Sequence, residues 1–235
     1  MSRLPIAAKE KGMTTAQQAA RETAKILLDI KAVHCNAQEP FKLTSGRFSP
    51  VYIDCRKIIS FPAERARLMD LAVELIEREI GKEKLDSIAG GETAGIPFAA
   101  WIAERMNKSM LYVRKKPKGF GRMAQIEGDM KEGEKTILVE DLATDGGSKL
   151  AFVETLRKAG AKVDDTFVIF HYGIFSEGVE SLKAIGIKLH ALATWWDVLG
   201  AAEEGNYFDA ASLQEVRAFL QDPHGWSRAR GETGS

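Results

Sequence analysis

Several things are scarce in this chain, and each scarcity removes a class of function. Cysteine occurs twice, at Cys35 and Cys55, with neither a C-x-x-C pair nor a zinc spacing. A disulfide scaffold and a zinc module are therefore excluded, and a reducing cytoplasm is the simple expectation. The four histidines, His34, His171, His190 and His224, are scattered rather than paired as metal ligands usually are. No apolar run approaches the roughly 18 residues that a membrane span needs, so no membrane partner is expected. Net charge is absent too: 33 Lys and Arg balance 33 Asp and Glu. A general nucleic-acid binder carries a basic footprint, so no nucleic-acid partner is expected.

What is present is a chain of 235 residues with 45% hydrophobic and 28% charged residues. That is enough for one α/β domain with a buried core. Residues 1–13 read as a disordered leader, without the apolar core of a signal peptide. Residues 14–221 read as a single domain, and the polar stretch 222–235 as a loose tail. Periodicity predicts a helix over 15–31, capped by Thr14 or Thr15, and extended segments with a turn over 41–60. A second helix starts near Pro62 and stops at Gly81.

Strands and helices then alternate. Strands are predicted at 87–90, 110–114, 136–140, 163–170 and 187–194, with helices at 97–106, 148–159 and 177–185. One or two more helices follow in 195–221. This rhythm predicts an α/β fold with a mainly parallel sheet flanked by helices.

The most informative stretch is Thr136-Ile137-Leu138-Val139-Glu140-Asp141-Leu142-Ala143-Thr144-Asp145-Gly146-Gly147-Ser148-Lys149. An apolar strand ends in two carboxylates, and two glycines then open a helix. Ligands bind beyond the carboxyl ends of parallel strands. A helix start there presents free N–H groups and a positive dipole end. Glycine lets backbone close on a phosphate, and Thr144 and Ser148 add hydroxyls. Glu140 and Asp141 suit sugar hydroxyls or a magnesium ion rather than the phosphate itself. The bland reading is an ordinary strand–turn–helix with Asp145 or Ser148 as N-cap.

A basic stretch follows the strand at 110–114. Arg114, Lys115, Lys116, Lys118 and Arg122 lie among Gly119, Gly121 and Gly128. The segment 114–135 exceeds usual connection lengths, as lids do. Composition alone also allows a solvated surface loop. The turn Gly91-Glu92-Thr93-Ala94-Gly95 is a second Gly-rich helix start suited to an anion.

Val139-Glu140-Asp141-Leu142-Ala143-Thr144-Asp145-Gly146-Gly147-Ser148 resembles the phosphoribosyl-pyrophosphate signature of the type I phosphoribosyltransferases. Phe41-Lys42-Leu43-Thr44-Ser45-Gly46-Arg47-Phe48-Ser49-Pro50-Val51-Tyr52-Ile53-Asp54 resembles the orotate-using branch of that family. So does Tyr112-Val113-Arg114-Lys115-Lys116-Pro117-Lys118-Gly119-Phe120-Gly121. Order and spacing agree over about residues 20–200, and three motifs together are far more specific than one.

The resemblance implies a type I phosphoribosyltransferase-like fold, with residues 14–60 forming a small hood. It implies transfer of the phosphoribosyl group of phosphoribosyl pyrophosphate to orotate. It implies Arg114, Lys115 and Lys118 as catalytic groups on the leaving pyrophosphate. Glu92, Thr93 and Ala94 would hold pyrophosphate. Residues Glu140, Asp141, Leu142, Ala143, Thr144, Asp145, Gly146, Gly147 and Ser148 would hold the ribose phosphate. Thr44, Tyr52, Ile53 and Thr144 would meet orotate. Magnesium is implied as cofactor, contacting mainly the substrate, with Glu140 and Asp141 as candidate direct ligands. A homodimer is implied, with the Lys118 loop shared between subunits.

The chain also departs from the pattern. Thr44 stands where many members have Lys, Phe120 where many have His or Tyr, and Thr93-Ala94 where some have Tyr-Lys. Near Phe170-His171-Tyr172-Gly173 an Asp-Arg pair is expected, and no Arg is there; Arg47, His171 or backbone N–H groups are the candidate substitutes for the orotate carboxylate. Two rival readings stand beside orotate transfer: transfer to another base such as a purine, and non-catalytic sensing of phosphoribosyl pyrophosphate.

Overall fold

The computed structural model of the chain describes residues 13–43, 45–119, 121, 123–144 and 147–231, without the side chains of Gly147 and Ser148. All but Met13 of the leader expected over 1–13 lies outside the described residues, as do Thr44, Phe120, Arg122, Asp145 and Gly146.

The first helix, α1 (Thr15–Asp29), starts where Thr14 and Gln17 form a reciprocal capping box. Four short strands follow: β1 (Val33–Cys35), β2 (Phe41–Lys42), β3 (Phe48–Ser49) and β4 (Val51–Ile53). β1 pairs antiparallel with β4, and β2 with β3. These two antiparallel pairs fall within residues 14–60, the segment expected to form the hood. Beyond β4 the expected extended chain instead tightens into a 3-10 helix, Cys55–Ser60, because the Asp54 side chain accepts from the Arg56 N–H and caps it.

The remaining elements build the sheet and its cover. They are α2 (Pro62–Glu79), β5 (Ser87–Gly91), α3 (Gly95–Met106), β6 (Ser109–Val113), β7 (Ile126–Glu127), β8 (Thr136–Ala143), α4 (Gly147–Lys158), β9 (Asp165–His171), α5 (Ser176–Ala184) and β10 (Lys188–Thr194). The sheet order is β10-β9-β8-β5-β6-β7, parallel throughout except for β7, which runs antiparallel to β6.

The strand pleat divides the core. Ile88 of β5 and Ile137 and Val139 of β8 join the larger cluster, with α1, α2, α3 and the hood. Ala89 and Leu138 join the smaller cluster, with Phe152, Val153 and Leu156 of α4. Neighbouring residues thus face opposite apolar layers, which is why these strands read as continuous apolar runs.

Three expectations need correction. β8 does not stop at Glu140: Leu142 and Ala143 pair with Phe170 and His171 of β9, so both carboxylates sit inside the strand. The basic segment 114–135 is less free than its length suggests. β7 pairs with β6, and the Arg114 and Lys118 N–H groups donate to Gln125 O and Ala124 O.

The loose tail is also incorrect over its described part. After α6 (Trp195–Gly205) and α7 (Ala210–Gln221), Asp222 caps a further helix, α8 (Pro223–Arg228). There Trp226 is buried against Phe219, and Ser227 Oγ accepts the Phe48 N–H at 2.8 Å. Among the described residues no helix is long and apolar enough to cross a membrane.

Candidate active site

The carboxyl ends of β5, β6 and β8 open at one edge of the sheet. Two helix starts face the same edge, α3 at Gly95 and α4 at Gly147. The hood leans over them with Tyr52, Asp54 and Arg56. Together they enclose a cleft of about 540 Å³, lined by Tyr52, Arg56, Glu92, Thr93, Ala94, Lys115, Glu140, Asp141, Thr144 and Lys149 among others. The placement follows the general rule for ligands on open parallel sheets.

Glycine shapes the floor. A Cβ on Gly91 would lie 1.8 Å from Glu140 Oε1, and one on Gly95 would lie 2.3 Å from the Val139 carbonyl oxygen. Both glycines are needed because the Glu140 carboxylate and the β8 backbone fill the space where side chains would stand. Glu140 is 7% exposed, and among the described residues its Oε1 has no hydrogen-bond partner. Its Oε2 lies 4.0 Å from Lys149 Nζ. Burial pushes the Glu140 carboxyl up to about 7, with Lys149 the strongest cation pulling it back.

Asp141, next on the strand, faces Arg56, with Nε 3.7 Å from Oδ2. Burial raises its carboxyl too, against the pull of Lys149 and Arg56. His171, paired in register with Ala143, is held toward its neutral form by burial and by the nearby Lys149 charge.

The loop after β5 is tied down. The Glu92 N–H donates to Val113 O at 2.9 Å, and the Glu92 carboxylate accepts the Lys115 N–H at 2.7 Å. The root of the basic loop and the 92–94 turn are therefore hydrogen-bonded to each other. The Glu92–Thr93 peptide bond is cis.

Of the residues singled out in the sequence, Tyr52, Glu92, Thr93, Ala94, Lys115, Glu140, Asp141, Leu142 and Thr144 meet at this cleft. Tyr52 is 42% exposed and turned outward by the β4 pleat, whereas the Ile53 side chain points into the core and only borders the cleft. Arg114 is turned to Glu127, with Nη1 3.3 Å from Oε1. Lys118 is exposed, and Ala143 is buried within β8. Thr44, Asp145 and Gly146, and the Ser148 side chain, lie outside the described residues. Arg47 sits over the Phe175 ring, 4.8 Å from its centroid, just beyond the end of β9.

The sequence reading gives Arg56 no role, and it ends the phosphate loop at Lys149 without noting that spacing to Phe152, Val153 and Leu156 places that lysine on the buried stripe.

Comparison with known proteins agrees with this geometry. Residues 57–174 match the phosphoribosyl transferase domain model. The orotate phosphoribosyltransferase of Roseobacter denitrificans is 58% identical over 91% of this chain and 95% of its own length. The chain belongs to the orotate phosphoribosyltransferase family. A second relative of that name, from Dinoroseobacter shibae, is 60% identical over 89% of this chain and 93% of its own length.

Solved structures carry the same fold. Orotate phosphoribosyltransferase from Aeropyrum pernix superposes with a TM-score of 0.66 at 32% identity, covering 79% of this chain and 99% of that one. UMP synthase of Leishmania donovani gives 0.75 at 29% identity over 87% of this chain, which spans 43% of that larger protein. The type I phosphoribosyltransferase expectation therefore holds, with the central sheet flanked by helices as read.

Proposed function

We propose that this chain transfers the phosphoribosyl group of phosphoribosyl pyrophosphate to orotate, yielding orotidine monophosphate and pyrophosphate, a step in pyrimidine synthesis. The observation that carries this reading is the convergence of the 92–94 turn, Thr144 and the carboxyls of Glu140 and Asp141 on one cleft, in a chain of this family. The 5′-phosphate fits the start of α4, at Thr144 to Ser148, where N–H groups and the helix dipole favour an anion. Glu140 and Asp141 accept the ribose hydroxyls. The 92–94 turn receives the pyrophosphate. Tyr52 packs on the base, with Thr44 and Ile53 at its margin.

The chemistry needs no covalent enzyme intermediate. The bond from the anomeric carbon to pyrophosphate breaks, its electron pair leaving with the pyrophosphate. A ring nitrogen of orotate bonds to the oxocarbenium-like carbon and gives up its proton, to water or to the departing pyrophosphate. The chain's contribution is alignment and charge stabilisation. Arg114, Lys115 and Lys118 stabilise the negative charge building on pyrophosphate. For Arg114 this requires leaving Glu127, which a hairpin loop can allow on closure.

Magnesium, when bound, would offset phosphate charge. Among the described residues no three His, Cys, Asp or Glu side chains converge as a metal site, so the fit is partial. Glu140 and Asp141 supply two oxygen donors. An octahedral ion would take its remaining oxygens from substrate and water, as this ion usually does. We place the Lys118 loop across a homodimer interface, and the protein in the cytoplasm.

The test is the loss of orotate absorbance with phosphoribosyl pyrophosphate, with and without magnesium, beside a panel of purine bases. Turnover of orotate alone is expected, and only with the metal. Turnover of a purine alone would replace orotate with that base. Binding of phosphoribosyl pyrophosphate without turnover of any base would favour a sensor.

A further inference from the structure

Helix α4 carries a lysine where its own pattern calls for an apolar residue. Positions 149, 152, 153 and 156 recur at helical spacing and face inward. Phe152, Val153 and Leu156 join the smaller core cluster. Lys149, at the head of the same stripe, is only 4% exposed. Burying an ammonium is costly unless its charge is answered, and a methionine would fill the same space at no such cost. Packing therefore does not explain the residue.

Glu140 is one buried partner of that charge, and Asp141 also feels it. Lys149 Nζ lies 4.0 Å from Glu140 Oε2, while Glu140 Oε1 lies in the space that Gly91 and Gly95 leave open. The charged groups around that carboxylate come from four directions: Asp141 on its own strand, Lys115 from the basic loop, Arg56 from the hood, and Lys149 from α4. Arg56 has a side chain 68% exposed, and Lys115 is exposed as well. Water screens those two, and the incoming polyanion competes for them. Among the described residues, Lys149 is the cation that shares the burial of Glu140.

We propose that Lys149 is a positioning residue of the sugar-hydroxyl subsite: it anchors the Glu140 carboxylate beneath the cleft before phosphoribosyl pyrophosphate arrives. This rests on the functional reading given above. An unanswered carboxylate at that place would repel a polyanionic substrate and drift from the ribose hydroxyls. The pair presents a fixed acceptor with its charge already balanced.

The test is a double-mutant cycle read in steady-state kinetics, after calorimetry has shown that the unaltered chain binds phosphoribosyl pyrophosphate. Lys149→Met should raise the KM for phosphoribosyl pyrophosphate by on the order of tenfold to a hundredfold, the cost of leaving a buried carboxylate without its counter-charge. The KM for orotate should stay within about threefold, and Lys149→Arg should recover part of the loss. In a Glu140→Gln background the same Lys149→Met change should add less than about threefold, because the anchored anion is gone. A folded Lys149→Met variant with a KM within about twofold of the unaltered chain would overturn the proposal. So would a full tenfold penalty persisting in the Glu140→Gln background, which would place Lys149 on the substrate itself. Where Lys149→Met alone fails to fold, Glu140→Gln against the double variant decides by the same margins. If the unaltered chain neither binds the substrate nor turns over orotate, the functional reading falls instead.

Discussion

Replacing Gly91 or Gly95 by alanine should damage the protein in two different ways. At Gly91 the new methyl would stand 1.8 Å from Glu140 Oε1 and 2.8 Å from a Phe152 ring carbon. The first obstacle is the tip of a side chain, so it retreats, and to reach an ordinary contact of 3.4 Å it moves by roughly 1.6 Å. A displacement of that size at a reacting site costs about 10²-fold. Gly91→Ala should therefore fold and lose about 100-fold in kcat/KM for phosphoribosyl pyrophosphate.

At Gly95 the methyl would meet the Val139 carbonyl oxygen at 2.3 Å. That oxygen belongs to a central strand and cannot retreat alone. Overpacking of this kind costs about 1–3 kcal/mol, so Gly95→Ala should lower Tm by roughly 5–10 °C in a chain of this size. The orotate-absorbance assay and thermal denaturation read the two effects. Adding Glu140→Ala to Gly91→Ala should remove most of whatever Tm loss the single change causes. A Gly91→Ala protein with kcat/KM within about threefold of the parent would refute the cradle argument.

Three further outcomes are expected. Lys118→Ala should cut kcat by about 100-fold or more and leave Tm unchanged, since the side chain is exposed; a near-normal rate would refute its role on the leaving group. Arg67→Met should cost about 0.5–1 kcal/mol near neutral pH, because the guanidinium holds Glu22 through hydrogen bonds of 2.8 and 2.9 Å in solvent that screens them. Arg67 keeps the Glu22 carboxyl below its usual value, so the contribution is present above that value and is lost as pH falls through the lowered one; urea titrations should show the gap closing in acid, and a gap unchanged there would refute the linkage. Trp226→Ala should destabilise the chain by about 3–5 kcal/mol, since its ring is buried and its Nε1–H donates to Glu215 at 3.0 Å; an unchanged Tm would return α8 to the status of a loose tail.

The sheet was legible because its strands are apolar on both faces and are bounded by glycine. The end of β8 was not, because Glu140 and Asp141 suggest solvent, whereas pairing of Leu142 and Ala143 with β9 carries the strand past them. β7 is two residues long, too short for any periodicity to show. In the tail, polar composition outweighed two local signals, the Asp222-Pro223 helix start and the single large anchor Trp226. The phosphate loops announced themselves through glycines between strand and helix. Arg56 and Lys149 did not, since a lone charge is usually solvated. Only the stripe shared with Phe152, Val153 and Leu156 marks Lys149 as buried, and that requires reading a helix for its misfits.

A chain of zero net charge that binds a polyanion must concentrate its field locally, and the cleft does so at a cost. Glu140 is buried there and Asp141 half-buried, burial raises both carboxyls, and among the described residues one oxygen of Glu140 has no partner. An unsatisfied buried acceptor costs about 1–3 kcal/mol. A ligand hydroxyl that supplied the missing donor would recover much of it, and the gain appears as a tighter Kd, hence a larger stabilisation at a given ligand concentration. At a hundred times Kd, linkage alone gives about 2.7 kcal/mol, or a rise in Tm of roughly 5–10 °C. With Glu140→Gln the affinity itself should fall, and at the same phosphoribosyl pyrophosphate concentration the rise should shrink by more than half. Inorganic pyrophosphate, which has no sugar hydroxyls, should stabilise the parent and the Glu140→Gln variant alike. If the variant loses the pyrophosphate response as well, Glu140 supports the anion loops rather than the ribose, and its assignment to the sugar hydroxyls is wrong.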